Sequence, residues 1–446
     1  MEIPYKKQLL CAAFLTLGMT IVPARPEQTQ VNNIFSLNFF EKVLNMKGDS
    51  SVIASPLGVS FMLGMLDNGA VGETAQEINQ VMGVTDAGML ASYQQNLMMT
   101  FLTLDERAEF NVANSIVLNN SLGCSFLPAY VDKMQTKYDA LIRSLDFRQP
   151  STLDYINNWS SEKTKGRIPQ LLKKLDPILL SVLMNAIYFK GIWSKTFDPK
   201  LTCKDHFIAA DGTVQEISMM HSDTARAYAD NGTFKTVKLD YGNGSYSMYV
   251  MLPEWSHSIS DVLNVMKTTD WMKAPKMADG LDVCLPQFTS ESDIRLNDII
   301  EDMGMPAMFN PVKADFSGMV DLSTLSDNLY VTLFRQKAKI EVDENGTKAV
   351  AVTVAGMEVT GMSDTSFYAN RPFLYAIVEN ATSTICFIGQ YTGVGEDVAA
   401  KGIGTRILKP IVEQHHRGLY NLSGSKLNAE SGSGIYIKDG TKMIAK

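Results

Sequence analysis

The sequence predicts an α+β protein with large β-sheets, and three observations lead to that class. The first half contains amphipathic segments with helical spacing, beginning with residues 33–44. The second half is rich in continuous apolar runs of strand length, such as 183–189 and 246–252. The 446 residues, of which 45% are hydrophobic, can bury one large core or two domains. Helices that cluster ahead of strands favour α+β over an alternating α/β arrangement.

Individual elements follow from the spacing of apolar residues. The helix over 33–44 is predicted to bury five apolar side chains, and an apolar helix over 61–66 is predicted to end at Asn68-Gly69. The predicted buried face of the first helix is Ile34, Leu37, Phe40, Val43 and Leu44. Segments 373–378 and 385–388 flank a polar stretch at 380–383 and predict a β-hairpin.

The first 24 residues have the composition of a secretory signal. Lys6 and Lys7 precede an apolar run over 9–22, and small residues at Val22-Pro23-Ala24 suit cleavage before Arg25. A lipoprotein signal would need a cysteine at the end of that run, whereas Cys11 lies near its start. We therefore expect an exported protein, secreted or at the cell surface, with no transmembrane segment.

The C-terminal extension looks separate from the body. Asp439-Gly440 joins two alternating segments, which is a strong signal for a two-residue β-hairpin. Residues 418–446 resemble the tail of the sorting domains of the type IX secretion pathway, and the alternative is a hairpin that packs on the body. The predicted division is residues 1–24 as signal peptide, 25–395 as the main domain and 396–446 as the extension.

Charge and motif content exclude several classes of function. The full chain carries −8, and removing residues 1–24 with their net +1 leaves −9 on the mature chain. Such an acidic protein is not expected to bind nucleic acid. The sequence contains no Gly-x-Ser-x-Gly elbow, His-Glu-x-x-His pair or Gly-rich phosphate loop. We therefore expect no catalytic residues, no cofactor and no metal.

The four cysteines beyond the signal are far apart and lack the paired spacing of zinc or redox sites. They are Cys124, Cys203, Cys284 and Cys386. Cys284 and Cys386 lie within apolar, strand-like segments, so we predict that they are buried free thiols.

Residues 347–355 form a strand pattern with two different faces. One face carries only small residues, namely Thr347, Ala349, Ala351, Thr353 and Ala355. The other face carries Lys348 and three valines, whose β-branched side chains favour an extended backbone. Beyond it, Gly356, Gly361 and the polar run 363–366 are typical of an exposed loop. The segment is suited to entering a sheet as an additional strand.

This arm resembles the hinge of the serpin family. The family's Glu-x-Gly-Thr-x-Ala-x-Ala motif is matched at Glu344, Gly346, Thr347, Ala349 and Ala351. About ten further family motifs occur in the family's order between residues 30 and 395, among them Ser55-Pro56, residues 69–74, 164–168, 185–193, 314–319, 370–373 and 387–389. The resemblance implies the serpin fold, with an N-terminal helical region, three β-sheets and an exposed reactive loop.

The resemblance also implies that the protein is a single-use protease inhibitor. It further implies that the protein is a monomer. A protease would cleave the loop as a suicide substrate, and the freed arm would insert into the central sheet and trap the acyl-enzyme. Counting fourteen residues from Gly346 places the reactive bond at Thr360-Gly361, with Met357, Val359 and Met362 as alternatives. The other function that the resemblance allows is a non-inhibitory serpin, acting as a binding protein or a plain protease substrate.

The composition of the loop restricts the predicted partner. No Lys or Arg lies between Val350 and Asn370, which disfavours a trypsin-like protease. Small and medium apolar side chains suit elastase-like, subtilisin-like or chymotrypsin-like serine proteases, or a papain-like cysteine protease.

The resemblance further assigns a sheet-opening region, and the sequence departs from the family at three positions near it. The assigned residues are Ser55, Asn185, Trp193 and Gln336. Gln336 stands where the family often has His, Gly58 where Ser is common, and Gln287 where many members have a Lys that pairs with the hinge acid, here Glu344. We expect these changes to alter the energetics of opening without removing the mechanism.

Overall fold

The computed structural model describes residues 26–84, 87–101, 105–123, 125–321, 328–347 and 365–393, together with the backbone of four short strands between residues 419 and 445. The signal-peptide prediction for residues 1–24 lies outside this part of the chain.

Eight α-helices occur in the described residues. They are α1 (Pro26–Lys47), α2 (Pro56–Asp67), α3 (Gly72–Met82), α4 (Ala87–Phe101), α5 (Pro128–Tyr138), α6 (Pro150–Lys163), α7 (Ile259–Thr268) and α8 (Asn297–Asp302). Helix α2 begins sharply, because Ser55 is its N-cap and Pro56 occupies the first helical position. This start fixes Ser55 at the junction between a strand and a helix.

The strands interleave with the helices more than the sequence suggested, since three of them lie before residue 150. In the first half they are β1 (Val52–Ala54), β2 (Ala108–Asn119), β3 (Leu141–Leu145), β4 (Ser181–Ile192), β5 (Cys203–Ile208) and β6 (Val214–Ser222). In the second half they are β7 (Arg226–Asp230), β8 (Phe234–Tyr241), β9 (Tyr246–Pro253), β10 (Lys276–Ala278), β11 (Asp282–Pro286), β12 (Phe288–Arg295), β13 (Leu333–Asp343), β14 (Gly346–Thr347), β15 (Ser366–Tyr368), β16 (Phe373–Glu379) and β17 (Thr384–Tyr391).

These strands build three sheets in the body of the molecule. The seven-stranded sheet has the order β1-β17-β16-β9-β8-β7-β10, and the four-stranded sheet the order β15-β11-β6-β5. The six-stranded sheet has the order β12-β13-β14-β4-β2-β3. The predicted α+β class with three sheets is confirmed, and so is the hairpin, because β16 pairs antiparallel with β17.

The six-stranded sheet separates two layers of packing. Successive residues of β13 alternate between buried and half-buried, as expected for a strand whose two faces differ. On the inner face, Ile187 of β4 and Ile340 of β13 join the main hydrophobic core. On the outer face, Met184 of β4 joins a smaller apolar cluster with Ile156 of α6. A strand added beside β4 would therefore meet apolar residues of β4 on both faces.

The helical periodicity of the N-terminus placed α1 correctly but misassigned one of its residues. Leu37, Phe40 and Val43 are buried as predicted, and Leu44 is partly buried against the core. Ile34 is 49% exposed, and Phe35 is buried in its place. The helix carries apolar residues on more than one side, so spacing alone could not select the buried set.

The described strands of the C-terminal extension form a sheet of their own. They are β18 (Leu419–Tyr420), β19 (Lys426–Leu427), β20 (Gly434–Lys438) and β21 (Thr441–Ala445), in the order β19-β18-β20-β21. Lys438 pairs with Thr441 across an antiparallel ladder. The predicted hairpin at residues 439–440 is confirmed in its strand pairing.

Candidate hinge and sheet-opening site

Strand β13 reverses direction at residues 343–347, which we call the hinge turn. After the reversal, Thr347 pairs with Val342 of β13 on one side and with Gly191 of β4 on the other. Gly346 likewise pairs with both Asp343 and Ile192. Below this point β13 pairs directly with β4, in parallel, from Leu333 to Lys339. The first two residues of the arm therefore already occupy the position of a central strand.

Glycine is the residue type that fits position 346. Its φ is +142°, a backbone conformation that residues with a side chain rarely adopt. A Cβ added here would lie 2.0 Å from the carbonyl oxygen of Gly191, which is backbone and cannot rotate away. The family-motif glycine is thus required by both backbone angle and space.

The carbonyl groups of the hinge turn are held by the segment that follows β4. The backbone N–H of Trp193 donates to the Asn345 oxygen at 2.8 Å, and that of Phe197 donates to the Glu344 oxygen at 2.9 Å. The indole Nε1 of Trp193 donates to the Asp343 oxygen at 2.9 Å. Trp193 is buried and stacks on Tyr241 with ring centroids 4.3 Å apart. Three successive carbonyls are thereby satisfied from one short segment.

The hinge acid Glu344 is held by neutral donors. Thr202 Oγ1 donates to Glu344 Oε1 at 2.6 Å, and Gln287 Nε2 donates to Oε2 at 2.7 Å. Gln287 therefore fills the place of the family's lysine with a hydrogen bond to a charged group, an interaction worth about 1.5–3 kcal/mol. Next to Glu344, burial raises the pKa of the Asp343 carboxyl above its ordinary value.

Three side-chain amides, those of Asn114, Asn185 and Gln336, meet the backbone of Ser55 under the middle of the sheet, and we call these four residues the amide cluster. Gln336 accepts from the Ser55 N–H at 2.9 Å, and its Nε2 donates both to the Ser55 carbonyl at 2.9 Å and to Asn185 Oδ1 at 2.8 Å. Asn185 Nδ2 donates to Asn114 Oδ1 at 2.8 Å. All four residues are buried. The contact between Gln336 and Asn185 joins β13 to β4 across the line along which the sheet would open.

An amide serves this position in a way that a histidine cannot. Gln336 supplies one acceptor and two donor hydrogens, and all of its contacts here use those groups. A neutral imidazole has one donor and one acceptor, so it would leave one of these partners unsatisfied. The departure from the family's histidine is therefore accommodated because the Gln336 amide satisfies each of its donors and its acceptor, although Nδ2 of Asn114 at the far end of the cluster has no partner among the described residues.

The other departure, Gly58, makes room for the amide cluster. A Cβ at Gly58 would lie 2.3 Å from Asn185 Oδ1, and Asn185 is buried. We expect Gly58→Ser to force Asn185 away from Gln336 and Asn114 and to lower the free energy of unfolding by about 2 kcal/mol, at about 1 kcal/mol for each hydrogen bond lost. Urea denaturation of the purified chain measures this.

The double variant Gly58→Ser/Asn185→Ala is the control for that prediction. Because the second change removes the clashing amide, the two costs should be non-additive by 1 kcal/mol or more, on the scale of about 0.5–3 kcal/mol seen for contacting residues. A Gly58→Ser variant as stable as the parent chain, or strictly additive costs, would contradict the proposed contact.

The structure divides the predicted sheet-opening residues between two places. Ser55, Asn185 and Gln336 come together in the amide cluster, whereas Trp193 lies with the hinge turn. Seven residues separate Gln336 from Asp343 along β13, which corresponds to about 23 Å at roughly 3.3 Å per residue. The sequence did not indicate Asn114 of the amide cluster or Thr202, which donates to Glu344. Each is an ordinary polar residue that lies far along the chain from its partner.

Several predicted residues lie outside the part of the chain that the structure describes. They are the hinge residues Ala349, Ala351 and Thr353, and the reactive-bond candidates Met357, Val359, Thr360, Gly361 and Met362. Of the predicted hinge, the described residues are Glu344, Gly346 and Thr347.

The described cysteines are free thiols, and two of them are buried as predicted. Cys284 and Cys386 are fully buried, and burial raises the pKa of both thiols. Cys203 is exposed, and His221 Nε2 lies 3.6 Å from its Sγ and 3.5 Å from that of Cys284. Within the described residues, no group of three or more His, Cys, Asp or Glu side chains is arranged to hold a metal ion.

Comparison with known families agrees with this geometry. The family model described as "Serpin (serine protease inhibitor)" matches residues 30–393, which is most of the chain. The chain is a serpin.

This serpin shares about a quarter to a third of its aligned residues with three proteins of known name. It is 32% identical over 369 residues to glia-derived nexin of Mus musculus, covering 79% of this chain and 90% of that one. The native structure of tengpin, a thermophilic serpin, is 28% identical with a TM-score of 0.75, covering 82% of this chain and 94% of tengpin. Thyroxine-binding globulin in complex with thyroxine shares the fold, with 24% identity and a TM-score of 0.74 over 82% and 99% of the two chains.

Among the described residues of this serpin, no helix is both long and apolar enough to cross a membrane.

Proposed function

We propose that this serpin is an exported inhibitor of proteases that acts as a suicide substrate. The observation that carries the proposal is the double pairing of Gly346 and Thr347 between β13 and β4. An arm that has already entered the sheet by two residues has its register fixed for the residues that follow.

Continuing that register predicts the neighbours of each further residue. Thr347 pairs with Val342 of β13 and with Gly191 of β4, and both ladders are antiparallel. Two residues further along the arm, Ala349 would therefore enter between Ile340 and Phe189. The pairs that follow on this inner face are Ala351 between Ala338 and Ile187, then Thr353 between Gln336 and Asn185. Those neighbours are buried in the main core or the amide cluster, and only small side chains fit between them.

The opposite face of the arm suits the outer side of the sheet. On the same register Val352 and Val354 would lie beside Ala186 and Met184 of β4, which belong to the apolar cluster under α6. On the β13 side the same register would place Val352 and Val354 beside the half-buried Lys337 and Arg335, so the apolar match of this face is to β4. No proline lies between Thr347 and Gly361 to interrupt the ladder.

The chemistry of trapping follows the usual course of acyl transfer. The protease nucleophile attacks the carbonyl carbon of Thr360, the bond to Gly361 N breaks, and the new amine takes up a proton. The acyl bond now joins the protease to Thr360, about 46 Å along an extended strand from Gly346 at roughly 3.3 Å per residue. Insertion of the arm would place the protease that far along the sheet from Gly346 and distort its active site before water can hydrolyse the acyl bond.

The proposal is tested by titrating the mature chain against a panel of proteases. We expect an adduct that survives SDS with an elastase-like, subtilisin-like or chymotrypsin-like enzyme, or a papain-like one, and none with trypsin. Mass spectrometry should find a released C-terminal fragment that begins at Gly361; fragments beginning at Glu358, Thr360 or Ser363 would move the bond to the alternatives. Loop cleavage by every enzyme without any adduct would instead establish the non-inhibitory function.

We also propose that the two ends of the chain serve export. Residues 1–24 would be removed as a signal peptide, and residues 396–446 would act in type IX sorting or anchoring, supported by the separate C-terminal sheet. Intact-mass measurement of the natural exported protein should give a chain that begins at Arg25. A chain that retains residues 1–24 would refute the export proposal.

A further inference from the structure

Arg226 is a buried cation near the hinge turn that the family motifs do not account for. It opens β7, is only 4% exposed, and has no carboxylate within ion-pair distance among the described residues. Its Nε has no hydrogen-bond partner there, and burial lowers the pKa of the guanidinium to about 10. Burying a guanidinium that no ion pair neutralises is costly, and the electrostatic attraction of Asp240 offsets the burial only in part.

The contacts of Arg226 converge on one segment. Its Nη2 donates to the Lys195 carbonyl at 3.0 Å, and its guanidinium carbon lies 4.8 Å from the centre of the Phe197 ring. Nη2 also lies 3.4 Å from Ser222 Oγ. Lys195 in turn donates through Nζ to the Ala225 carbonyl at 2.7 Å. The guanidinium therefore fixes the backbone at 195 and the side chain at 197 together.

The same segment holds the hinge turn. The Phe197 N–H donates to the Glu344 carbonyl at 2.9 Å, and the Trp193 N–H to that of Asn345 at 2.8 Å. Movement of Phe197 would therefore withdraw a donor from the turn that keeps Gly346 between β13 and β4. Arg226 therefore acts on the hinge turn indirectly, through its contact with Phe197.

We propose that Arg226 is a positioning residue that keeps the hinge turn docked in the six-stranded sheet. Its effect on the docking of residues 343–347 is independent of inhibition. Its effect on inhibition rests on the proposed function: a docked hinge begins insertion sooner, so that fewer acyl-enzymes are hydrolysed before the arm has moved.

The test compares Arg226→Met, which keeps the length but removes charge and donors, with Arg226→Lys, which keeps the charge. Arg371→Met is the matched control, because Arg371 also donates to a backbone carbonyl, that of Pro253 at 2.6 Å, and lies over an aromatic ring, that of Trp255 at 4.3 Å, without touching the 193–197 segment. Hydrogen exchange is followed in peptides that cover residues 343–347 of the uncleaved chain.

We expect about tenfold faster exchange at the hinge turn in Arg226→Met, a smaller increase in Arg226→Lys and no change in Arg371→Met. The moles of serpin consumed per mole of protease should rise several-fold in Arg226→Met, while the rate of loop cleavage stays the same. Unchanged exchange at 343–347 in Arg226→Met overturns the inference. If Arg226→Met does not fold, unchanged exchange at residues 343–347 in Arg226→Lys overturns the inference instead.

Failure of the proposed function is recognised separately. If the parent chain forms no adduct with any protease while hinge exchange still rises in Arg226→Met, the positioning role stands and only the inhibitory function falls.

Discussion

Replacing Gly346 with alanine should make this serpin a plain substrate of proteases instead of the inhibitor proposed above. The new Cβ would lie 2.0 Å from the Gly191 carbonyl oxygen, and the φ of +142° would be strained for any side chain. Such backbone strain alone costs about 1–3 kcal/mol. Since about 1.4 kcal/mol is a factor of ten, we expect the moles of serpin consumed per mole of inhibited protease to rise at least tenfold.

Gly232→Ala is the matched control for this change. Gly232 also has a positive φ, +82°, but nothing lies within 4 Å of a Cβ built there. It should show the cost of strain in stability without a change in the inhibitory stoichiometry. If Gly346→Ala inhibits with the parent's stoichiometry, the hinge does not enter the sheet at Gly346 and the assignment is wrong.

The hinge motif stands out in the sequence because its residues are contiguous, and the structure describes its first part, Glu344, Gly346 and Thr347. Gly346 is required by a backbone angle, and the small residues after it form one face of a strand. Both constraints produce a recognisable pattern within ten residues of sequence. The same holds for the β16–β17 hairpin, whose two apolar runs and polar turn are contiguous. Local patterns of this kind predicted the fold class, and they led to the proposed hinge.

The rest of the site depends on contacts between distant parts of the chain. Thr202 meets Glu344 across 142 residues, and Asn114 meets Asn185 across 71. Arg226 stands between two alanines at the start of a strand, which gives no sign that its side chain is buried. The pairing of Asn114 with Asn185 follows from the register of β2 and β4, which only the folded sheet fixes.

The same reasoning explains why Ile34 was assigned to the core in error. Helix α1 has Phe35 and Phe39 in addition to its predicted face, and these bulky aromatic rings take the buried side. Periodicity counts apolar positions without weighing their area, whereas burial favours the residues that remove the most apolar surface from water.

Cleavage of the loop between Met357 and Met362 should make this serpin far more resistant to heat. Before cleavage the arm is tied at both ends, and β13 pairs directly with β4 from Leu333 to Lys339. After cleavage the arm can enter between them and gain about one ladder hydrogen bond per residue. At about 1 kcal/mol each, roughly ten inserted residues contribute on the order of 10 kcal/mol. With an unfolding entropy of about 0.8 kcal/mol/K for a body of this size, Tm should rise by about 13 °C.

Differential scanning calorimetry of the intact and cleaved chains measures this shift, and cleaved Gly346→Ala is the control. That variant carries the same cut but has an obstructed hinge, so its Tm should rise by only a fraction of the parent's increase. A cleaved parent chain that melts at the temperature of the intact one would show that the arm stays outside the sheet. In that case the double pairing of Gly346 and Thr347 would be a fixed feature of the native turn rather than the first step of insertion.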